Sequence, residues 1–312
     1  MMAQGTVRKG LLVVGNLNVD RIHSVPRIPS EGQSVPVSDM IVRFGGCGGN
    51  IALAASRLGA RTRLSSVVGD DIDPLYLERI RQSGIDISDI ITLLDHRSPY
   101  CIILSAPNGS QAYAFHMGAM SQQGRMPLPA PGGVSYCHAA TSDPSYCAKV
   151  FKRMKEEGVS TGLDPGQEIF FRWTRKDIEL ALERCDRFFG NIREWTKLGE
   201  IMGWEMVDSD IPVFHEVFEF IEEAIVTMGG RGAALLRPRE TFTDPAFDAG
   251  PLVDPTGAGD AFRGAFYAAL DRGLSSRRAL HHGNVMGGFV TRFQGSQEYT
   301  IDWDGLIELE KV

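Results

Sequence analysis

With 312 residues, the chain is long enough for one large α/β core and a small appendage. Its 43% hydrophobic and 23% charged content excludes a disordered or low-complexity polypeptide. A net charge of −7 without a long basic run argues against nucleic acid or an anionic membrane surface as partner, and no apolar run approaches the ~18 residues that span a bilayer. In chain order, the pattern predicts a strand at Leu11 to Gly15, a helix at Asn50 to Leu58, a strand at Leu64 to Val68 and a helix at Pro74 to Ser83. A helix at Pro144 to Glu157, a strand at Ser160 to Leu163, a helix at Lys176 to Cys185 and a strand at Arg187 to Gly190 follow. Strands at Ala224 to Met228 and Ala233 to Leu236 precede helices at Ala261 to Asp271 and Ser276 to Phe293. Gly59, Gly84, Gly158 and Gly273 stand where helices stop. Such alternation predicts a mainly parallel sheet covered on both faces.

Two stretches break the alternation. Ile22 to Phe44 carries Pro26, Pro29 and Pro36 among β-type residues, and Ser98 to Phe115 reads as strands Tyr100 to Ser105 and Gln111 to Phe115 around a Pro107-Asn108-Gly109 turn. They form either a small second sheet or two surface hairpins with no moving role. The five cysteines are odd in number and lack a C-x-x-C pair, so they are expected to be reduced thiols in the cytoplasm. Leu11 to Val14 is too short for a secretory signal. No Cys/His cluster predicts a transition-metal site, and His281 and His282, adjacent on a helix, cannot face the same way.

The most informative run is Asp254-Pro255-Thr256-Gly257-Ala258-Gly259-Asp260-Ala261-Phe262. Small residues leading into a helix leave backbone N–H groups free at its positive end, which binds phosphate. A carboxylate beside a phosphate site makes sense if Asp260 takes a proton from the attacking group. The alternative is a glycine-rich turn with Asp260 as a helix cap. Arg263, one turn later, either faces the phosphates or makes a surface salt bridge.

Other segments carry polar chemistry. Gly45-Gly46-Cys47-Gly48-Gly49-Asn50 is a loop where a ligand or another backbone comes close. A dinucleotide-binding loop should follow the first strand, but there the chain reads Asn16-Leu17-Asn18-Val19-Asp20. Asn191-Ile192-Arg193-Glu194 puts two polar side chains on one side if a helix begins there, or is simply a cap with an exposed Glu. Thr227-Met228-Gly229-Gly230-Arg231-Gly232 is a glycine-rich turn after a strand.

From end to end these segments resemble the ribokinase-like (PfkB) family of sugar and nucleoside kinases. The resemblance implies a three-layer α/β/α fold with a mainly parallel central sheet and a β-sheet lid, residues 1–312 forming a single domain with lid segments near 21–44 and 98–117. It implies that Asp260 is the catalytic base and that Gly257, Ala258 and Gly259 hold the transferring phosphoryl group. Asp20 and Asn50 would bind sugar hydroxyls, with Asn16 and Asn18 beside them and Gly46 packed on the sugar. Asn191, Thr227, Gly229, Gly232 and Asn284 would serve ATP, Glu194 would order Mg2+ through water, and Asp254 with Gly295 would hold a monovalent cation such as K+.

Ala114-Phe115-His116-Met117-Gly118-Ala119-Met120, Ser142-Asp143-Pro144, Asp164-Pro165-Gly166-Gln167-Glu168 and Gly295-Ser296-Gln297-Glu298 are similar to segments of the bacterial adenosine kinases of that family, with Met117 in place of a proline. Tyr100 and Phe115 would stack on a base or merely fill the lid, and Gln167 would bond base or ribose. The expectation is a cytoplasmic, ATP- and Mg2+-dependent kinase of a purine nucleoside, adenosine first, with a homodimer as the candidate assembly. The rivals are a ribose or fructose kinase and a regulator that binds nucleotide or sugar without turnover.

Overall fold

The first strand, β1 (Leu11–Val14), is buried at every position, as only a strand covered on both faces can be. The computed structural model describes residues 10–207 and 211–311. After β1 come β2 (Asn18–Ser24), β3 (Asp39–Gly45), α1 (Cys47–Arg57), β4 (Thr62–Gly69), α2 (Pro74–Gln82), β5 (Asp86–Leu93), β6 (Tyr100–Ser105) and β7 (Gln111–His116). The chain continues through β8 (Tyr136–Ala139), α3 (Pro144–Glu156), β9 (Ser160–Leu163), α4 (Arg175–Leu182), β10 (Arg187–Asn191) and α5 (Ile192–Met202). It ends with β11 (Glu223–Thr227), β12 (Ala233–Arg237), β13 (Glu240–Asp244), α6 (Ala258–Asp271), α7 (Ser276–Val290) and α8 (Trp303–Leu309).

Among the described residues the large sheet runs β13-β12-β11-β10-β9-β8-β1-β4-β5. Every pairing from β11 across to β5 is parallel, and only β12 and β13 fold back antiparallel at one edge. Alternation along β1 shows the layering. Leu11 and Val13 join one apolar cluster with α1, α6 and α7, whereas Leu12 and Val14 join another with α3, α4 and α5. The fold is therefore the ribokinase-like α/β/α sandwich. The second sheet, β3-β2-β6-β7, is smaller and separate, and is built from the segments expected to form the lid. Its β6–β7 hairpin turns at Asn108-Gly109, with Gly109 left-handed and the Asn108 side chain accepting the Ser110 N–H.

Two helices begin three residues earlier than predicted. Helix α1 takes in Cys47 to Gly49, and α6 takes in Ala258 to Asp260, so glycines read as loop are helical here. Close packing explains those in α1. A Cβ on Gly48 would meet the Gly15 backbone at 2.6 Å, and one on Gly49 would meet the Tyr76 hydroxyl at 2.4 Å. Strands β5, β8 and β13 and helix α8 were not anticipated; the strands are short or half-polar and pairing makes them regular, while α8 is a short helix capped by the Asp302 side chain.

Candidate active site

Helix α6 opens on Gly257, whose φ of 79° suits glycine and where a Cβ would sit 2.5 Å from the Ser296 Cβ. The turn before it is held by Asp254, whose carboxylate accepts the N–H groups of Thr256 and Gly295, both at 2.9 Å. The Ala258 N–H turns back to the Pro255 carbonyl. Those of Gly257, Gly259 and Asp260 have no acceptor in this first turn, as helix geometry requires. The two residues expected to hold a monovalent cation are thus bonded to each other, and their bond ties the Gly295 loop to the anion turn.

Asp260 lies in that first turn and is half-buried. Burial pushes its carboxyl up to about 6, against the opposing pull of the Asn50 amide and the Arg263 guanidinium and with the Asp164 charge adding to the rise. Asn50 Nδ2 donates to Asp260 Oδ2 at 2.8 Å. Asn50 was expected to hold sugar; here its amide already serves the carboxylate, with Oδ1 taken by Ser296 and Gln297. Cys47 was passed over in the sequence. Its thiol stands beside Asp260, and burial together with that charge keeps it protonated.

Arg263 settles as neither a phosphate contact nor a surface ion pair. It is buried, its Nε donates to Asp164 Oδ2, and its Nη1 donates to the Gly259 carbonyl at 2.8 Å. This internal cation offsets Asp164 and faces Glu194 and Asp260 as well. The Asn191 segment is both a cap and something more. Asn191 Oδ1 accepts the N–H groups of Arg193 and Glu194, and Glu194 Oε2 accepts the Asn191 N–H at 2.7 Å, a reciprocal capping box. Glu194, though, is buried rather than exposed, and burial plus the Asp164 charge pushes its carboxyl up to about 7.

On the lid, register decides which side chains share a face. Asp20 pairs with Arg43 on one side and Cys101 on the other, and Cys101 pairs with Phe115. These four form one row, and the alternation of a strand adds Asn18 and Tyr113 to the same face. That face meets the site, since the charges of Asp260 and Asp254 add to the burial that pushes the Asp20 carboxyl up to about 6. Tyr100 belongs to the neighbouring row with Val19 and His116 and stands on the opposite face, where the Arg21 guanidinium lies 4.8 Å from its ring centre. Tyr100 and Phe115 therefore cannot flank one ligand. Tyr113 is the second aromatic residue of the site face, a signal present in the i, i+2 spacing of β7.

Asn16, Asn18 and Asp20 form a line of amides ending on the carboxylate. Asn16 Nδ2 donates to Asn18 Oδ1 at 3.1 Å, and Asn18 Nδ2 donates to Asp20 Oδ1 at 2.6 Å. Gly46, at φ 99°, passes so close that a Cβ would meet the Asn16 carbonyl at 2.6 Å. Gln167 stands exposed in the turn Gly166–Phe170, and its side chain makes no hydrogen bond among the described residues.

Beside the anion turn lies a cavity of about 360 Å³ that gathers Thr227, Gly229, Gly232, Ala258, Gly259 and Asn284, within the usual range of small-molecule sites. Asn284 gives both amide protons to Asp244, at 3.0 and 2.7 Å, and so offers this cavity only its oxygen. Asn191 is not part of the lining. No helix among the described residues is long and apolar enough to cross a membrane, and all five cysteines are free.

A family model described as "pfkB family carbohydrate kinase" matches residues 8–303. A nucleoside kinase of Methanothermobacter thermautotrophicus is 29% identical over 294 residues, covering 93% of this chain and 91% of the relative. Among solved structures, the nucleoside kinase of Methanocaldococcus jannaschii, described as an archaeal member of the ribokinase family, superposes with a TM-score of 0.89 at 25% identity over 97% of this chain and 99% of its own. The nucleoside kinase of Burkholderia thailandensis in complex with inosine gives 0.85 at 25% identity, covering 97% and 98%.

Proposed function

Because this chain belongs to the pfkB family of carbohydrate kinases and is a phosphotransferase, we propose that it transfers the γ-phosphoryl group of ATP to the 5′-hydroxyl of a purine nucleoside, adenosine foremost. The observation that carries this reading is the placement of Asp260 between the free N–H groups of the anion turn and the lid face of Asp20, Tyr113 and Phe115. A sugar hydroxyl held by Asp20 would lie under two aromatic side chains that offer a flat surface to a base. A free sugar has no use for that surface. The relatives named as nucleoside kinases, one of them with inosine bound, support the same choice.

In the reaction, Asp260 accepts the hydroxyl proton late, as bonding to phosphorus develops, since an alcohol does not ionise at neutral pH. The N–H groups of Gly257 and Gly259 stabilise charge on the phosphoryl oxygens without rearranging, whereas that of Ala258 is already taken by the Pro255 carbonyl. Asp20 grips ribose hydroxyls with the lone pairs that Asn18 leaves free, Gln167 would reach base or ribose only from its exposed turn, and lid closure excludes water. Adenine would fill the cavity beside Asn284, whose oxygen suits an amino donor; Thr227, Gly229 and Gly232 form its wall.

Magnesium needs only one or two carboxylates when phosphates and water supply the rest, and Glu194, buried with one oxygen uncommitted, fits that role; the ion would supply charge for the phosphates. A monovalent cation such as K+ would use Asp254 and the Gly295 carbonyl. Free thiols fit a cytoplasmic setting.

The test is ATP consumption measured across adenosine, inosine, guanosine, cytidine, ribose and fructose. Fastest turnover with a purine nucleoside is expected. Ribose or fructose ahead of every nucleoside would make the chain a sugar kinase, and binding without any turnover would make it a regulator.

A further inference from the structure

Three buried side chains form an unbroken hydrogen-bonded line from the lid to Asp260. Gly45 is the last residue of lid strand β3, and its carbonyl accepts the Tyr76 hydroxyl at 2.5 Å. The Tyr76 oxygen accepts from Gln297 Nε2 at 2.9 Å, and the same nitrogen donates to Asn50 Oδ1 at 2.8 Å. Asn50 Nδ2 completes the line on Asp260 Oδ2 at 2.8 Å. Tyr76, Gln297 and Asn50 are buried, and Gln297 Oε1 has no donor among the described residues. The two bonds from Nε2 are therefore what orient that amide.

Each link takes its direction from the one before it. A carbonyl can only accept, so Tyr76 gives its single proton to Gly45 and presents its oxygen as an acceptor. That draws the nitrogen of Gln297 rather than its oxygen. The second proton on this nitrogen requires Asn50 to present Oδ1, which turns the Asn50 NH2 group onto the carboxylate. The reverse polarity is also self-consistent: Tyr76 would donate to the Gln297 oxygen, Asn50 would turn over, and Asp260 would have to be protonated to donate to it. That arrangement leaves the Gly45 carbonyl without its donor. The end of the lid strand thus selects between a base-ready and a proton-blocked Asp260.

We infer that Tyr76 and Gln297 are positioning residues that hold Asn50 with its amide nitrogen on Asp260, and that they link this state to the lid through the Gly45 carbonyl. The inference rests on the reading of Asp260 as the base. The ionisable groups facing Asp260 are Asp20 from β2, Cys47 from α1, Tyr76 from α2, Asp164 after β9, Glu194 from α5, Arg263 from α6 and Tyr299 before α8. Substitution at Gln297 leaves all of them in place.

The experiment compares Tyr76→Phe, which keeps the ring, and Gln297→Met, which keeps the length, with wild type and Asp260→Asn. Folding is checked by circular dichroism, and kcat and KM for adenosine and ATP are measured from pH 5 to 9. Both positioning variants are expected to move the acid limb of the rate profile up by about one pH unit, to lose roughly 10-fold in kcat at pH 5 but only about 2-fold at pH 7, and to keep the KM for ATP within about 3-fold. A folded Tyr76→Phe or Gln297→Met protein with the wild-type pH profile overturns the inference, even if its melting temperature has fallen, because a packing role alone would do that. If one variant fails to fold, the other decides. An Asp260→Asn protein that keeps its activity would instead remove the base itself, a different failure from the first.

Discussion

Replacing Asp260 by Asn should kill the reaction and stabilise the fold in the same molecule, and pH separates the two effects. Burial holds the Asp260 carboxyl at about 6 against an ordinary 3.8. A carboxylate raised in the folded state contributes stability that is fully present below the unfolded value and is lost as pH climbs through the folded one. The difference of about 2 pH units corresponds to a ceiling of about 3 kcal/mol, at 1.36 kcal/mol per unit; contact with solvent reduces it. Asn is uncharged throughout, so its melting temperature relative to wild type should rise between pH 4 and pH 7, by roughly 2 °C per kcal/mol for a chain of this size. Removing the charge also relieves Asp20 and Glu194, which it pushes in the same direction. Calorimetric scans of both ligand-free proteins at pH 4.5 and pH 8 read the effect, and turnover at pH 8 should be down at least ~100-fold. A melting difference that is the same at both pH values, or an Asn variant that loses ground at pH 8, would refute the crowded-carboxylate argument. Wild-type activity should correspondingly fall below about pH 6, as the base is protonated.

Phe115→Ala should weaken adenosine binding by ~0.5 to 1.5 kcal/mol beyond area loss, whereas Tyr100→Ala, on the far face of the lid, should leave it within 2-fold or so; calorimetric titration with equal losses in both would break the face assignment. Gly257→Ala forces a left-handed backbone on alanine and sets its Cβ 2.5 Å from the Ser296 Cβ, so the KM for ATP should rise about 10-fold or more while adenosine binding without ATP holds; equal loss of both ligands would point to misfolding. Asp20→Ala should cost ~1 to 3 kcal/mol in adenosine affinity and less for 2′-deoxyadenosine, which has already lost one hydroxyl; equal penalties would move Asp20 away from the 2′-position.

Much of this was readable from the residues, and the misses have a common physical origin. Helices with an apolar stripe and a glycine stop, such as α2 and α3, were legible because their signal is local. The glycine turn into α6 was legible because its residues are consecutive. What escaped was whatever depends on partners far along the chain. Strand β8 is four residues long, and its burial comes from β1 and β9 on either side. Arg263 reads as polar, yet Asp164, brought in from the end of β9, gives it a buried partner. Asn50 carries a sugar-binding residue type, but Gln297 and Ser296, from the opposite end of the sequence, turn its amide toward Asp260.

The Tyr100 assignment turned on the length of one turn, because a two-residue turn at Asn108-Gly109 would pair Ser105 with Ala112 and put Tyr100 on the Phe115 face. The observed hairpin is symmetric about Asn108 alone: Ser105 pairs with Gln111, and stepping outward one residue at a time reaches Cys101 opposite Phe115 and Tyr100 opposite His116. Phe115 and Tyr100 therefore have opposite parity in the pleat, whatever the rest of the lid does. Parity alone does not say which face meets the ligand. That is decided by the parallel pairing of β6 with β2, which puts Cys101 beside Asp20 and so ties the Phe115 face to the carboxylates. The local turn thus determined which aromatics belong together, and one long-range strand pairing determined which pair faces the chemistry. Tyr113 and Phe115 form that pair, and on the proposed reading a base bound above Asp20 would meet them.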